Sequence, residues 1–242
     1  MMERGAGKTV ENRLFPPLSV VWVFPRYFSR LKGGSRVLAD YLKVVLFSYL
    51  AGSIPNAIII GKLWRGIDVR EHGSGNIGAT NVFRVLGAAP AITVLCLDAL
   101  KGSLGVYLGT LWLGPGWGSV LGGIMAIMGH NWPVWLKFKG GRGVASGLGV
   151  IAAIVPKITL IVLAVFLLVV YTTRYVSLGS IICAALVPLL MVVFSEPQPY
   201  QLFGFVAGFF VIIRHRANIQ RLWQGTELKI SWRKTKEQSE EG

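Results

Sequence analysis

Long apolar segments recur along most of this sequence, and many of them approach the length of a membrane span. Apolar residues make up 53% of the 242 residues and charged residues only 15%, with a mean hydropathy of +0.57. A transmembrane helix needs about 20 mainly apolar residues, because the hydrocarbon core of a bilayer is about 30 Å thick. Soluble domains rarely carry such runs. The sequence therefore predicts an all-α integral membrane protein.

The apolar segments predict seven transmembrane helices within a domain covering residues 41–230. Residues 1–40 are polar, basic and interrupted by proline, which predicts a poorly ordered N-terminal extension, and residues 231–242 form a charged C-terminal tail. Pro55 interrupts the first span, and because proline lacks a backbone donor we expect a kink there that borders a polar site. The predicted spans are approximately 41–63, 90–113, 118–128, 144–155, 158–170, 178–194 and 200–213.

The positive charge of the chain is distributed unevenly between the predicted loops. A formal net charge of +14 cannot lie in hydrocarbon, and it favours anionic lipids or phosphorylated substrates. Nucleic acid is a poor alternative because there is no soluble basic domain. Loops on one side carry Lys62, Arg65, Arg70, Arg84, Lys137, Lys139, Arg142, Arg174 and Arg214, whereas Lys157 is the only cation in the opposite loops. The positive-inside rule makes the first side cytoplasmic. This orientation would leave the basic N-terminal extension outside, but the charge asymmetry of the loops rests on more segments and is preferred.

The stretch from Arg70 to Arg84 has the composition of an anion-binding site. It places glycines, a serine, a threonine and two asparagines between two arginines. Glycine allows backbone N–H groups to approach a ligand closely, small polar side chains add neutral donors, and arginine adds a planar cationic fork. The alternative is a solvated turn between two helices, although such turns are usually shorter.

A second block, from Lys137 to Gly143, interleaves glycines with cations and leads directly into an apolar helix at Val144. Free N–H groups at a helix N-terminus beside basic side chains form an anion site. The alternative is a juxtamembrane loop that only holds lipid headgroups. Within the second span, Asp98 and Lys101 share one helix face, where they either form an ion pair that orients helices or contact a ligand. Gly105 and Gly109 form a small-xxx-small pair that predicts close helix packing.

The sequence lacks the usual motifs of covalent or metal-dependent catalysis. It has no Gly-x-Ser-x-Gly elbow and no His-Glu-x-x-His, and none of its three histidines has an aspartate five residues on. We therefore expect no metal and no cofactor, and catalysis by positioning and electrostatic stabilisation of phosphate groups. The rival function is a transporter or channel for a phosphorylated solute, with a purely structural membrane protein as a more distant alternative. Against transport, no polar track beyond Asp98 and Lys101 crosses the predicted membrane, and no inverted repeat is evident.

Several motifs together resemble bacterial acyl-phosphate:glycerol-3-phosphate acyltransferases. They cover about residues 41–230 in order, and the first block is long enough to make the resemblance specific. Two features depart from the family: the N-terminal extension, and Arg142, where lysine is more common. The motifs are Gly52-Ser-Ile-Pro55, Gly73-Ser-Gly-Asn-Ile-Gly-Ala-Thr-Asn81 with Arg84, Leu97-Asp-Ala-Leu-Lys-Gly102, Gly129-His130 with Pro133, Lys139-Gly-Gly-Arg-Gly-Val-Ala145, Arg174-Tyr-Val-Ser-Leu178, Arg214-His-Arg-Ala-Asn-Ile219 with Arg221, and Gly225-Thr-Glu227.

The resemblance implies a seven-helix membrane enzyme that transfers a fatty acyl chain from acyl phosphate to glycerol 3-phosphate, giving lysophosphatidic acid and inorganic phosphate. It implies Ser74, Arg84 and Arg142 as catalytic residues. It implies substrate binding by Gly73, Gly75, Asn76, Thr80, Asn81, Lys139, Gly140, Gly141, His215 and Asn218, with Asp98, Lys101, His130 and Ser177 in support. The expected partners are the two substrates, membrane lipid and the soluble enzyme that makes acyl phosphate. The expected location is the bacterial inner membrane, with the site facing the cytoplasm.

Overall fold

A computed structural model describes residues 34–230, and over this range the chain forms ten α-helices and two short 3₁₀ turns. The compact helical unit begins at Leu38. The predicted extension over 1–40 is described only from Gly34 onward, and the predicted tail over 231–242 lies outside the described residues. The all-α prediction is confirmed for the described part of the chain.

The helices follow one another with short connections. They are α1 (Gly34–Gly52), α2 (Asn56–Arg65), α3 (Ala79–Leu86), α4 (Ala88–Leu113), α5 (Trp117–Asn131), α6 (Val144–Ile154), α7 (Pro156–Thr173), α8 (Val176–Val193), α9 (Gln198–Arg214) and α10 (Arg216–Trp223). The 3₁₀ turns are Val69–Glu71, between α2 and α3, and Val134–Leu136, between α5 and α6.

The first helix starts earlier than the sequence patterns predicted. It begins at Gly34, so the predicted domain boundary after residue 40 falls inside α1. The buried i, i+4 stripe of Asp40, Val44, Ser48 and Gly52 begins just before the predicted span, and the helix continues beyond it through residues 34–38, which are exposed. The predicted break is confirmed, because α1 ends at Gly52 and α2 begins after Pro55.

All seven predicted spans are helical, but they differ in length. Four segments are long and apolar enough to cross a membrane: Gly34–Arg65 with its break, α4, α7 and α8. The described residues contain five such segments if α9 and α10, which meet at an angle of 56°, are counted as one. By contrast, α5 has 15 residues and α6 has 11, less than the roughly 20 that a straight span requires.

The centre of the fold is α4, which packs against α5 and α6. The predicted packing role of Gly105 and Gly109 is confirmed, because a Cβ atom at either position would overlap a backbone oxygen of α5. Gly102 makes the same close approach to the Ser146 carbonyl of α6. The α5 contacts lie in the N-terminal half of that helix, and α5 then runs along α4 until His130, near its C-terminal end, lies 3.7 Å from Asp98. The C-terminal end of α5 and the N-terminal end of α6 therefore both lie beside the middle of α4.

A buried polar cluster covers the break in the first span. The Lys101 ammonium donates to the Ile54 carbonyl at 3.0 Å and pairs with Asp98 at 2.9 Å. Asp98 also accepts a hydrogen bond from the Asn56 amide at 2.9 Å. Since the break frees backbone groups from helical bonding, this cluster supplies partners that lipid could not. For Lys101 the structure therefore supports the predicted ion pair that orients helices.

Candidate anion-binding site

Polar segments that are distant in sequence meet around one cavity of about 450 Å³. The Gly-rich stretch before and within α3, the start of α6, the start of α8 and the region around α10 all contribute to its wall. Eleven of the residues predicted for the site line it, namely Ser74, Asn76, Thr80, Asn81, Arg84, Asp98, His130, Arg142, Ser177, His215 and Asn218. The remaining predicted residues, Gly73, Gly75, Lys101, Lys139, Gly140 and Gly141, lie outside this wall.

Three helices begin at the cavity. The wall includes Gly78 and Thr80 at the start of α3, Val144 at the start of α6, and Val176 and Ser177 at the start of α8. The first N–H groups of a helix have no intrahelical acceptor, and the helix dipole gives this end a partial positive charge. Three such ends around one cavity favour an anionic ligand.

The first loop, residues 69–81, is held together by the side chain of Asn81. The amide oxygen of this buried residue accepts hydrogen bonds from the Ser74 backbone N–H at 2.8 Å and from the Ser74 hydroxyl at 3.1 Å. Its amide nitrogen donates to the carbonyls of Val69 at 2.8 Å and His72 at 3.1 Å. Both ends of the amide are thus engaged within the loop, which assigns Asn81 to shaping the cavity wall.

The two arginines that flank the first loop have different environments. Arg70 pairs with Asp68 at 2.6 Å, and this hydrogen bond lowers the pKa of the Asp68 carboxyl to about 2. Arg70 does not line the cavity, so the prediction that both arginines serve the anion site is wrong for Arg70. Arg84 does line it and donates to the Leu228 carbonyl at 3.0 Å.

Arg142 lies in the cavity wall among other charged side chains, Arg84, Arg214, Arg221 and Glu227. Burial lowers the pKa of the Arg142 guanidinium, Glu227 opposes this effect, and the neighbouring arginines add to it. Arginine nevertheless stays protonated in proteins, so Arg142 keeps its positive charge in the cavity. The cavity therefore gathers more positive than negative side chains, as a site for phosphate requires.

The second loop, residues 137–143, contributes Arg142 to the cavity but keeps its other predicted residues behind the wall. The Gly140 N–H donates to the Asn131 carbonyl and the Gly141 N–H to the His130 carbonyl, each at 3.1 Å. A Cβ atom at Gly141 would overlap the His130 ring, so the loop lies directly on that histidine. Lys139 is exposed.

Glu227 was missed as a site residue, although it belongs to one of the motifs quoted above. Its carboxylate accepts hydrogen bonds from Ser177 at 2.7 Å, Asn218 at 2.6 Å and Arg221 at 2.7 Å. Burial opposes its ionisation, yet these three donors hold the pKa of Glu227 below its ordinary value. An acidic residue in a basic tail was the available signal, since a lone carboxylate among cations is usually paired. Arg221, which pairs with Glu227, was also missed and also lines the cavity.

His215 occupies the bend between α9 and α10 and is 2% exposed. Its ring nitrogen Nδ1 lies 2.8 Å from the Val211 carbonyl oxygen, one helical turn earlier. In the neutral ring this contact places the hydrogen on Nδ1 and leaves Nε2 as an acceptor. A hydroxyl group could donate to that nitrogen.

An apolar groove of about 160 Å³ continues from the cavity between α6, α7, α8 and α9. The cavity and the groove share six residues, among them Val144, Phe166 and Ser180. Farther along, the groove is lined by Ile151 and Phe203, which are buried. A ligand with an anionic head and an apolar tail would fit this combination.

Comparison with known proteins gives one consistent result. Residues 42–225 match the family described as glycerol-3-phosphate acyltransferase. The chain is 48% identical over 193 residues to glycerol-3-phosphate acyltransferase 2 of Moorella thermoacetica, which covers 80% of this chain and 99% of the relative. It is 44% identical over 198 residues to the glycerol-3-phosphate acyltransferase of Halalkalibacterium halodurans, covering 79% and 96% of the two chains.

The fold is also similar to that of a protein with a solved structure. The crystal structure of PlsY (YgiH), an integral membrane glycerol 3-phosphate acyltransferase in its glycerol 3-phosphate form, matches with a TM-score of 0.75 and 40% identity. The match covers 79% of this chain and 96% of that one. A second crystal structure of PlsY, in the lysophosphatidic acid form, matches with a TM-score of 0.74 and 39% identity.

Proposed function

The chain belongs to the glycerol-3-phosphate acyltransferase family of integral membrane enzymes, and we propose that it transfers a fatty acyl group from acyl phosphate to glycerol 3-phosphate. The products are lysophosphatidic acid and inorganic phosphate. The observation that carries this proposal is the continuity of the arginine-lined cavity with the apolar groove. Glycerol 3-phosphate alone needs only the cavity, whereas an acyl donor and an acylated product also need the groove.

The substrate phosphates bind to Arg84 and Arg142 and to the N–H groups at the starts of α3 and α6. Ser74 donates to Asn81 in the structure, and a turn of its hydroxyl would direct the hydrogen to a phosphate oxygen. His215 and Asn218, which also line the cavity, position the glycerol moiety. The acyl chain lies in the groove between α6, α7, α8 and α9. The relative in its glycerol 3-phosphate and lysophosphatidic acid forms supports both occupants.

The reaction needs no covalent enzyme intermediate. The 1-hydroxyl of glycerol 3-phosphate attacks the acyl carbonyl carbon, the ester C–O bond forms, and the bond to the phosphate oxygen breaks. Inorganic phosphate leaves with the bonding electrons. The hydroxyl proton passes to a phosphate oxygen, because a phosphate with a second pKa near 6 is a competent acceptor at neutral pH. The arginines stabilise the charge that develops on the leaving phosphate.

We further propose seven membrane crossings, with the cavity open to the cytoplasm of a bacterial inner membrane. The concentration of cationic loops at the cavity end supports this orientation through the positive-inside rule. Single cysteines placed in the loop before α3 and after α10, in a background with Cys96 and Cys183 replaced, test it. Both should react with an impermeant thiol reagent only after the membrane is opened, and labelling from outside intact cells would refute the orientation.

The donor is tested with purified protein, glycerol 3-phosphate and one donor at a time. We expect lysophosphatidic acid to form from acyl phosphate and not from acyl-CoA or acyl carrier protein. A comparable rate with acyl-CoA would overturn the donor assignment. Activity should also survive EDTA, because the described residues contain no cluster of three or more metal-ligating side chains. Loss of activity in EDTA that returns with a divalent cation would contradict that expectation.

A further inference from the structure

Arg214 contacts the second loop without lining the cavity. It is the last residue of α9, and its guanidinium donates to the Gly141 carbonyl at 2.6 Å. Gly141 immediately precedes Arg142, whose side chain belongs to the cavity wall. A charge-assisted hydrogen bond to a carbonyl is among the stronger contacts that a neutral backbone group makes.

The second loop is also held by the end of α5. Its N–H groups at Gly140 and Gly141 bond back to the end of α5, which holds one edge. Before them, Lys137 and Phe138 both have positive φ angles, of 50° and 61°. Non-glycine residues in this region are strained and persist only where the surroundings hold them. The Gly141 carbonyl is the point at which α9 takes part in holding the loop.

Arg214 is itself fixed by aromatic packing. Its guanidinium lies over the Trp132 ring at 5.9 Å from the centroid, and Trp132 lies against Phe210 at 5.4 Å. Phe210 is one helical turn before Arg214 on the same face of α9. The Trp132 ring and the Gly141 carbonyl therefore restrict the Arg214 side chain to one orientation. A flexible arginine on the surface would not keep a single orientation.

We propose that Arg214 is a positioning residue, which sets Arg142 and the start of α6 against the cavity and links them to His215 at the end of α9. The residue after Arg214 is His215, so one helix end holds the second loop and carries a substrate-facing side chain. This inference rests on the proposed function only in that the cavity binds the phosphate of glycerol 3-phosphate. Two alternatives make different predictions: a general contribution of positive charge, and a purely structural contact.

The test compares Arg214→Met and Arg214→Lys with Arg216→Met in the full-length purified protein. Arg216 is exposed, lies two residues away and carries the same charge, so its replacement controls for charge. Binding of glycerol 3-phosphate is measured by calorimetry, which needs no donor, and KM and kcat are measured with acyl phosphate. Thermal unfolding of each variant reports stability.

We expect Arg214→Met to raise both Kd and KM for glycerol 3-phosphate about tenfold, since it removes one charge-assisted bond behind the phosphate-binding residue. At saturating substrate kcat should fall less than about threefold. Arg214→Lys should be intermediate, because an ammonium can donate to the carbonyl but stacks less well than the planar guanidinium. Arg216→Met should resemble the unmodified protein.

Several results would overturn the inference. Unchanged Kd in Arg214→Met with a lowered melting temperature would show a structural contact only. An equal loss in Arg216→Met would show a charge effect only. If Arg214→Met does not fold, Arg214→Lys and Trp132→Leu replace it, and unchanged binding in both would refute the proposal. A failure of acyl phosphate as donor would leave the calorimetric result intact, so the two proposals can fail separately.

Discussion

The two glycine-rich loops that form the anion cavity are held in different ways. The first loop is held from within, because the Asn81 amide bonds to Val69, His72 and Ser74 of the same loop. The second loop is held from outside, by the end of α5 and by Arg214 at the end of α9. A loop of the first kind carries its support in its own sequence, whereas a loop of the second kind depends on how distant helices pack.

The largest effect should come from removing the internal support of the first loop. Asn81→Ala leaves the Ser74 N–H and two carbonyls without their partner, and a buried polar group without a partner costs about 1–3 kcal/mol. Because the loop also carries Ser74 into the cavity, we expect activity to fall by roughly a hundredfold or more. Steady-state kinetics on folded protein measure this. Thr93→Ala, whose hydroxyl bonds only within α4, is the control. Near-normal turnover in Asn81→Ala would remove the distinction between the loops.

The next effect concerns Arg142, through which the second loop reaches the cavity. Arg142→Ala removes a charge-assisted contact to phosphate worth about 1.5–3 kcal/mol, so kcat/KM should fall by roughly ten- to over a hundredfold while the protein stays folded. We expect only a mild loss for Arg142→Lys, because lysine still supplies positive charge to the phosphate. A larger loss with lysine would show that the site uses the bidentate fork of arginine. Wild-type kinetics in the alanine variant would exclude Arg142 from the site.

The difference between the loops explains what the sequence could predict. The composition of the first loop predicts an anion site, and the structure places Ser74, Thr80 and Arg84 in the cavity wall. The second loop looked equally suitable, yet Lys139, Gly140 and Gly141 lie outside that wall. The alternation of glycines with lysines and arginines in the second loop does not show which side of the loop faces the cavity. That orientation depends on contacts with the end of α5 and with Arg214, which are distant in sequence. Hydropathy located seven helical segments but not the short helices α3 and α10, and it placed the start of α1 too late because Ser35, Arg36 and Asp40 make its first turns polar.

Lys101 offers a test of a support that both loops share. Its partner Asp98 accepts a hydrogen bond from Asn56 of α2, the helix that leads into the first loop. Asp98 also lies 3.7 Å from Nδ1 of His130, the histidine against which the second loop packs. Lys101→Met leaves a buried carboxylate uncompensated, which costs about 3–5 kcal/mol of folding stability. The specific activity of the remaining folded protein should fall about fivefold, less than for Arg142→Ala. Adding Asp98→Asn removes the unpaired charge and should restore part of the lost melting temperature. No stability gain in the double variant would contradict the pairing.

The smallest effect should come from Lys139, which sequence reasoning placed among the substrate-binding residues. It is exposed and lies outside the cavity wall, while Arg142, three residues later, is part of it. An exposed cation in high dielectric interacts with a distant phosphate by well under about 1 kcal/mol, and salt screens the remainder. Lys139→Ala should therefore change kcat/KM for glycerol 3-phosphate by less than about threefold, and the change should vanish as ionic strength rises. Kinetics at low and high salt, with Lys137→Ala as the matched control, decide the matter. A tenfold, salt-independent rise in KM for Lys139→Ala alone would mean that this side chain binds phosphate, and that the second loop turns toward the cavity during the reaction.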